Sequence, residues 1–281
     1  MYAIGTDSDY QCNPPAILQL RSRCIEKPIN TLELLEIANA KQTQVYEKQR
    51  QRDKRGYDGE DENDLEIVLL KNVSLKSYMD WIKESHHGIR PSFIPKNEEN
   101  LSIGDIMVTE VPSGAHEIAF GELMKAVVLE LSHISRSLED TIVLEPGKDI
   151  QWTNGRVKIP DGGLKTQDSP LPNVVIEVAY SESFQQLRAN VHHWILFTNH
   201  VQISIGIKIF TMNTQQQRKM IVLYEDRQGM TQEIEFGIES APQPLRIPIF
   251  VLYGDIPQEI QDVAFLDIQL IPLRNKILRE F

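Results

Sequence analysis

Cysteine is nearly absent: two among 281 residues, Cys12 and Cys24, both near the start. Two such residues supply neither a disulfide framework nor a zinc-ligand pattern, and the expectation is a reducing, intracellular location. Long apolar runs are missing too. No stretch approaches the ~20 residues that span a bilayer, and MYAIGTDSDYQC lacks a basic-then-apolar signal segment, so no membrane partner is expected. Basic charge is in deficit, with 29 Lys and Arg against 40 Asp and Glu, a net charge of −11. That balance argues against tight, indiscriminate nucleic-acid binding, which needs surplus cations on the contacting face. It leaves room for a carboxylate site whose charge a metal ion offsets.

What is present is an ordinary globular composition, 41% hydrophobic and 25% charged. Residues 1–30 lack periodicity, and a helix beginning at Thr31 turns basic between Lys41 and Arg55 before an acidic linker near 57–65. The expected organisation is an N-terminal extension over 1–65, an α/β domain over 66–237 and a C-terminal strand and helix extension over 238–281. The last segment is read as completing the sheet, dimerising or touching substrate. Ser74 caps a short helix in VSLKSYMDWIKES, Ile106-Met107-Val108 suggests a strand, and SGAHEIAFGELMKAVVLELSHIS is the clearest amphipathic helix. Thr153-Asn154-Gly155 marks a hairpin between DTIVLEPGKDIQW and GRVKIPDGGL. PNVVIEVAYS reads as a buried strand, SESFQQLRANVHHWILF as a helix and VQISIGIKIF as a strand, together a parallel βαβ unit. Ser181 or Ser183 is expected to cap that helix.

Two carboxylates stand out. Asp161 is placed at the end of the alternating run Val157, Ile159, Asp161, on the inward side. Glu177 lies inside Val174-Val175-Ile176-Glu177-Val178, where an unpaired charge is costly. Either the two hold a divalent metal, or each pairs with a cation such as Arg156 or Arg188. A third ligand is sought on the preceding helix, where Glu117 falls near the apolar edge and His116 on the buried face. His116 reads equally as a packed core histidine. The His192-His193 pair beside Trp194 reads as packing rather than ligation, and His86-His87 before Gly88 as a helix end.

With these residues in view, VKIPDGGL followed by NVVIEVAYSES resembles the Pro-Asp … Glu-x-Lys signature of the PD-(D/E)XK nuclease superfamily, in particular its putative restriction endonuclease family. The likeness covers about residues 72–210. It implies a restriction-endonuclease-like core, ordered helix, strand, strand, strand, helix, strand, with a mixed sheet between helices. It further implies a Mg²⁺- or Mn²⁺-dependent endonuclease, a hydrolase of phosphodiester bonds, acting on nucleic acid and chiefly DNA. Asp161, Glu177 and Glu117 become the metal ligands and His116 a further catalytic candidate. Ala179 stands where the family's lysine is expected, and Lys208 on the next strand is the preferred replacement, ahead of Lys165, which follows the glycines in a loop, and Lys158, which alternates away from Asp161. A chain that keeps the fold but has lost the chemistry, serving as a binding or regulatory module, is the alternative; a homodimer is compatible with either.

Overall fold

The computed structural model describes residues 67–84, 90–108, 114–167, 169–180, 182–212, 218–237 and 242–280, plus five isolated positions before residue 44. The helix from Thr31 and its linker, His86-His87 and Ser181 therefore lie outside the described residues. The class is α+β, with mixed and antiparallel sheets.

Three strands open the described chain, β1 (Ile67–Ser74), β2 (Ser92–Asn97) and β3 (Asn100–Val108), with helix α1 (Leu75–Glu84) between the first two. Ser74 caps α1, its Oγ accepting from Ser77 N at 3.0 Å. The helix turns Tyr78 and Trp81 onto Phe93, Ile106 and Val157, the core of this half.

Helix α2 (Gly114–Ile134) follows, then a short α3 (Arg136–Glu139) and strand β4 (Ile142–Pro146). From here the chain builds one long hairpin in two parts. Its tip is β5 (Ile150–Gln151) against β6 (Val157–Lys158), turned by Asn154-Gly155 with Gly155 at φ 81°, the left-handed conformation glycine adopts without a Cβ penalty. Its base is β4 against β7 (Gly162–Thr166). Pro146-Gly147 on one arm and Pro160 on the other separate base from tip, as expected of residues that interrupt a ladder. The two parts accordingly join different sheets: β1-β3-β2-β6-β5 and β11-β10-β9-β8-β7-β4.

The second sheet is completed by β8 (Val174–Ala179), helix α4 (Phe184–Phe197), β9 (Ile203–Met212), β10 (Arg218–Asp226) and β11 (Thr231–Phe236). Strands β8 and β9 are parallel, as the βαβ reading expects, and the other pairings are antiparallel. All six residues of β8 are buried, which explains its unbroken apolar sequence around one glutamate. On one face Leu123, Val127 and Leu131 of α2 meet Ile176, Val178, Ile205 and Ile207. On the other face α4 lays Leu187, Val191 and Trp194 over Val175, Ala179, Ile221 and Leu223.

The C-terminal segment adds neither strand nor edge to the large sheet. Strands β12 (Leu245–Pro248) and β13 (Phe265–Ile268) pair with each other, accompanied by helices α5 (Ile249–Tyr253) and α6 (Ile271–Glu280). Leu245, Ile247, Ile268, Leu273 and Ile277 merge into the same core as α2.

Candidate active site

Two corrections to the sequence reading set the site. Asp161 does not end a strand of the hairpin; it stands immediately before β7, and Lys165 lies within β7 rather than in a loop. The pairing of β7 with β8 runs to Gly162 opposite Ile176. Beyond that point the Asp161 side chain takes over the ladder, its Oδ2 accepting from Val178 N at 2.5 Å. Oδ1 of the same carboxylate is paired with the guanidinium of Arg90, which precedes β2.

Glu177, at the centre of β8, points to the α4 side. Its Oε1 accepts from the indole Nε1 of Trp194 at 2.5 Å and lies 2.9 Å from Lys158 Nζ. Burial makes these contacts consequential: Lys158 is 4%, Glu177 6% and Asp161 8% exposed. A carboxylate so placed persists as an anion only with a close cation or strong donors. Each of the two acids has one of each, and Glu177 Oε2 accepts from no side chain among the described residues.

The sequence reading sets Lys158, like Lys165, behind Lys208, on the ground that strand alternation turns it from Asp161. Strand β6 ends at Lys158, before Pro160 and the bend where the hairpin crosses from one sheet to the other, and the structure brings Lys158 to Glu177. The partners are likewise neither Arg156 nor Arg188; Arg188 pairs with Glu233 on the surface, 2.6 Å away.

Lys208 stands opposite Ala179 in the parallel register, at the edge where the missing lysine is sought. Its ammonium, however, is drawn to the chain that leaves β8, donating to the carbonyl oxygens of Tyr180 (3.3 Å) and Glu182. The lysine is 1% exposed and closes a turn. On α2, His116 is buried as expected, whereas Glu117 is exposed to solvent. Among the described residues no three His, Cys, Asp or Glu side chains converge as metal ligands.

Helix α4 carries a buried polar row, beyond the expected cap, that the sequence reading did not identify. Ser183 caps it, Oγ accepting from Gln186 N at 3.0 Å. Gln186, Asn190 and Trp194, four residues apart, form one row facing the sheet. Gln186 reaches Asn190 at 3.4 Å, Asn190 donates to Glu182 Oε1 at 2.7 Å, and Trp194 donates to Glu177. A polar residue at helical spacing within an apolar face was the available signal; Asn190 is fully buried. Nothing local signalled Arg90, whose partner is 71 positions away.

Scanned against protein-family models the chain matches none, and no curated protein sequence matches it. No helix among the described residues is long and apolar enough to cross a membrane.

Proposed function

We propose that this chain hydrolyses phosphodiester bonds, in DNA before RNA, with Asp161, Glu177 and Lys158 as its reaction centre. The observation that carries the reading is the Lys158 ammonium 2.9 Å from Glu177, in a chain that lacks a lysine two residues after that glutamate. Two buried carboxylates and one ammonium are the inventory of a PD-(D/E)XK site, and Lys158 supplies from β6 the cation missing from β8. The order of α2, β4, β7, β8, α4 and β9 supports the same reading.

The donor set suits Mg²⁺ or Mn²⁺ on stated terms. Such an ion takes one or two carboxylates and fills its remaining positions with water and phosphate oxygens. Glu177 would hold the ion through Oε2, and Asp161 would join it in place of Arg90, a side chain one-quarter exposed. When bound, the ion supplies charge stabilisation at the phosphoryl group and lowers the pKa of a water ligand. The remaining work falls to the protein. Trp194 and the Val178 N–H fix the two carboxylates, and Lys158 steadies negative charge on a phosphoryl oxygen. His116 and Glu117 are left out of this centre, the first packed into the core and the second in solvent.

A second reading, a nuclease-fold module that binds without cleaving, draws on one observation: both acids already hold a cation. Nicking of supercoiled plasmid with Mg²⁺ or Mn²⁺ separates the two. Hydrolysis predicts nicking that falls about 100-fold or more in Asp161→Asn and in Lys158→Met. Absence of nicking by the wild-type chain, with no metal binding by calorimetry, removes the hydrolase and leaves the binding module.

A further inference from the structure

The two cations at the acid pair are not equivalent. The Lys158 side chain is 5% exposed and that of Arg90 25%, although the acids they hold are equally buried. Lys158 Nζ lies between Glu177, 2.9 Å away, and the Trp194 ring, 5.7 Å to its centroid. Arg90 reaches Asp161 from the entrance to β2, and of the four side chains it alone has a substantial share of its surface in solvent.

The root of that arginine is fixed. Pro91 is buried, and its carbonyl oxygen accepts from the Tyr78 hydroxyl at 2.9 Å. Proline confines the residue before it to extended backbone, so only the Arg90 side chain has to turn for the contact to break. Asp161 keeps a second anchor, the Val178 N–H at Oδ2, that does not depend on Arg90.

Charge decides what such an arrangement does. With Arg90 in place, two carboxylates face two cations and both Asp161 oxygens are engaged, so a divalent ion meets no net negative charge. With Arg90 turned out, the same place holds one uncompensated buried carboxylate, an unfavourable state that an entering cation relieves. Departure of the guanidinium and entry of an ion are therefore one exchange at Asp161 Oδ1, while Lys158 stays on Glu177.

We infer that Arg90 is an autoinhibitory latch on the Asp161–Glu177 centre, a resident cation that a divalent metal has to displace. The latch rests on the hydrolase reading for its ion and adds to it what controls that ion's entry.

The test is calorimetric titration of the full chain with Mn²⁺ alone, at constant ionic strength, in the wild type and in Arg90→Gln. Binding is expected to be at least about tenfold tighter in Arg90→Gln. Adding Asp161→Asn to that variant should abolish the gain. Arg188→Gln, which removes a surface arginine paired with Glu233, should stay within about twofold of wild type. Thermal unfolding gives a second readout: Mn²⁺ should raise the melting temperature of Arg90→Gln by more than that of the wild type, because loss of Arg90 strands a buried carboxylate. If circular dichroism shows Arg90→Gln unfolded with and without Mn²⁺, Arg90→Lys serves; it should tighten binding several-fold, since an ammonium lacks the planar fork that grips a carboxylate. Equal affinity in the wild type and the folded variant, an equal gain in Arg188→Gln, or a gain that survives Asp161→Asn overturns the latch. If plasmid nicking persists in that case, the hydrolase stands without it. Tighter binding in Arg90→Gln with no nicking keeps the latch and removes the hydrolase, and no Mn²⁺ binding by any of these chains overturns latch and metal centre together.

Discussion

Lys158 and Glu177 belong to different sheets, yet the ammonium of one lies 2.9 Å from a carboxylate oxygen of the other. The pair ties β6 of the five-stranded sheet to β8 of the six-stranded sheet at the bend of the long hairpin. Asp161, three residues after Lys158, repeats the arrangement with Arg90 from the entrance to β2. Each of the two buried acids thus takes its cation from the half of the fold built on the five-stranded sheet, and these contacts are open to substitution.

Lys158→Met is expected to lower unfolding free energy by about 3–5 kcal/mol, because it strands a buried carboxylate. Adding Glu177→Leu removes the orphan charge and should recover most of that loss. Urea unfolding of the two single variants and the double variant gives the coupling directly. Additive effects would show that the two groups do not interact.

The two lysines separate by role. Lys208→Met removes donors to the Tyr180 and Glu182 carbonyls and should cost about 1–3 kcal/mol of stability. Cleavage per folded molecule should stay within about threefold of wild type, against the 100-fold loss for Lys158→Met. Plasmid nicking normalised to the folded fraction makes the comparison, and the opposite ranking would return Lys208 to the site.

Gly162 lies between Asp161 and the rest of β7, against helix α2. A Cβ there would come within 2.2 Å of the Phe120 ring, closer than any real contact. Gly162→Ala should therefore destabilise the chain by about 1–3 kcal/mol. Phe120→Leu in the same chain should restore part of this. Thermal unfolding reads both, and an unaffected Gly162→Ala would mean that the ring is free to move aside.

Acid sensitivity follows from two histidines. The His193 pKa is lowered from 6.5 by burial first, then by Arg156, His192 and Lys158; that of His200 is lowered by burial and Arg227. The folded state binds these protons less readily than the unfolded one, so stability rises with pH across this range. The contribution is complete above about pH 6.5, the unfolded value, and is lost as pH falls through the lower folded values. The urea midpoint should drop between pH 7 and pH 5, less steeply in His193→Gln. An NMR titration placing His193 above 6.5 would contradict the assignment.

Much of the fold was legible because its signals are local. Ser74 and Ser183 mark helix starts by offering an oxygen to a free N–H, and both do so. Asn154-Gly155 turns a hairpin for a reason confined to two residues, and the unbroken run Val174–Ala179 demands cover on both faces. The βαβ unit that follows is parallel, as a crossover through helix α4 permits. Strand membership was less legible. The sequence places Lys165 in a loop after the glycines, and only the pairing of Gly162–Thr166 with β4 and β8 puts it in β7.

The amino-acid sequence by itself determined that Asp161 and Glu177 are the unusual acids, since a charge among buried apolar neighbours stands out wherever it folds. It could not determine their partners. Arg90 is 71 positions from Asp161, and Lys158 meets Glu177 only because a proline bend carries one hairpin across two sheets. Side-chain alternation is a rule within a single strand, and charge pairing obeys distance in space. Which cation neutralises which carboxylate was therefore decided by tertiary packing alone.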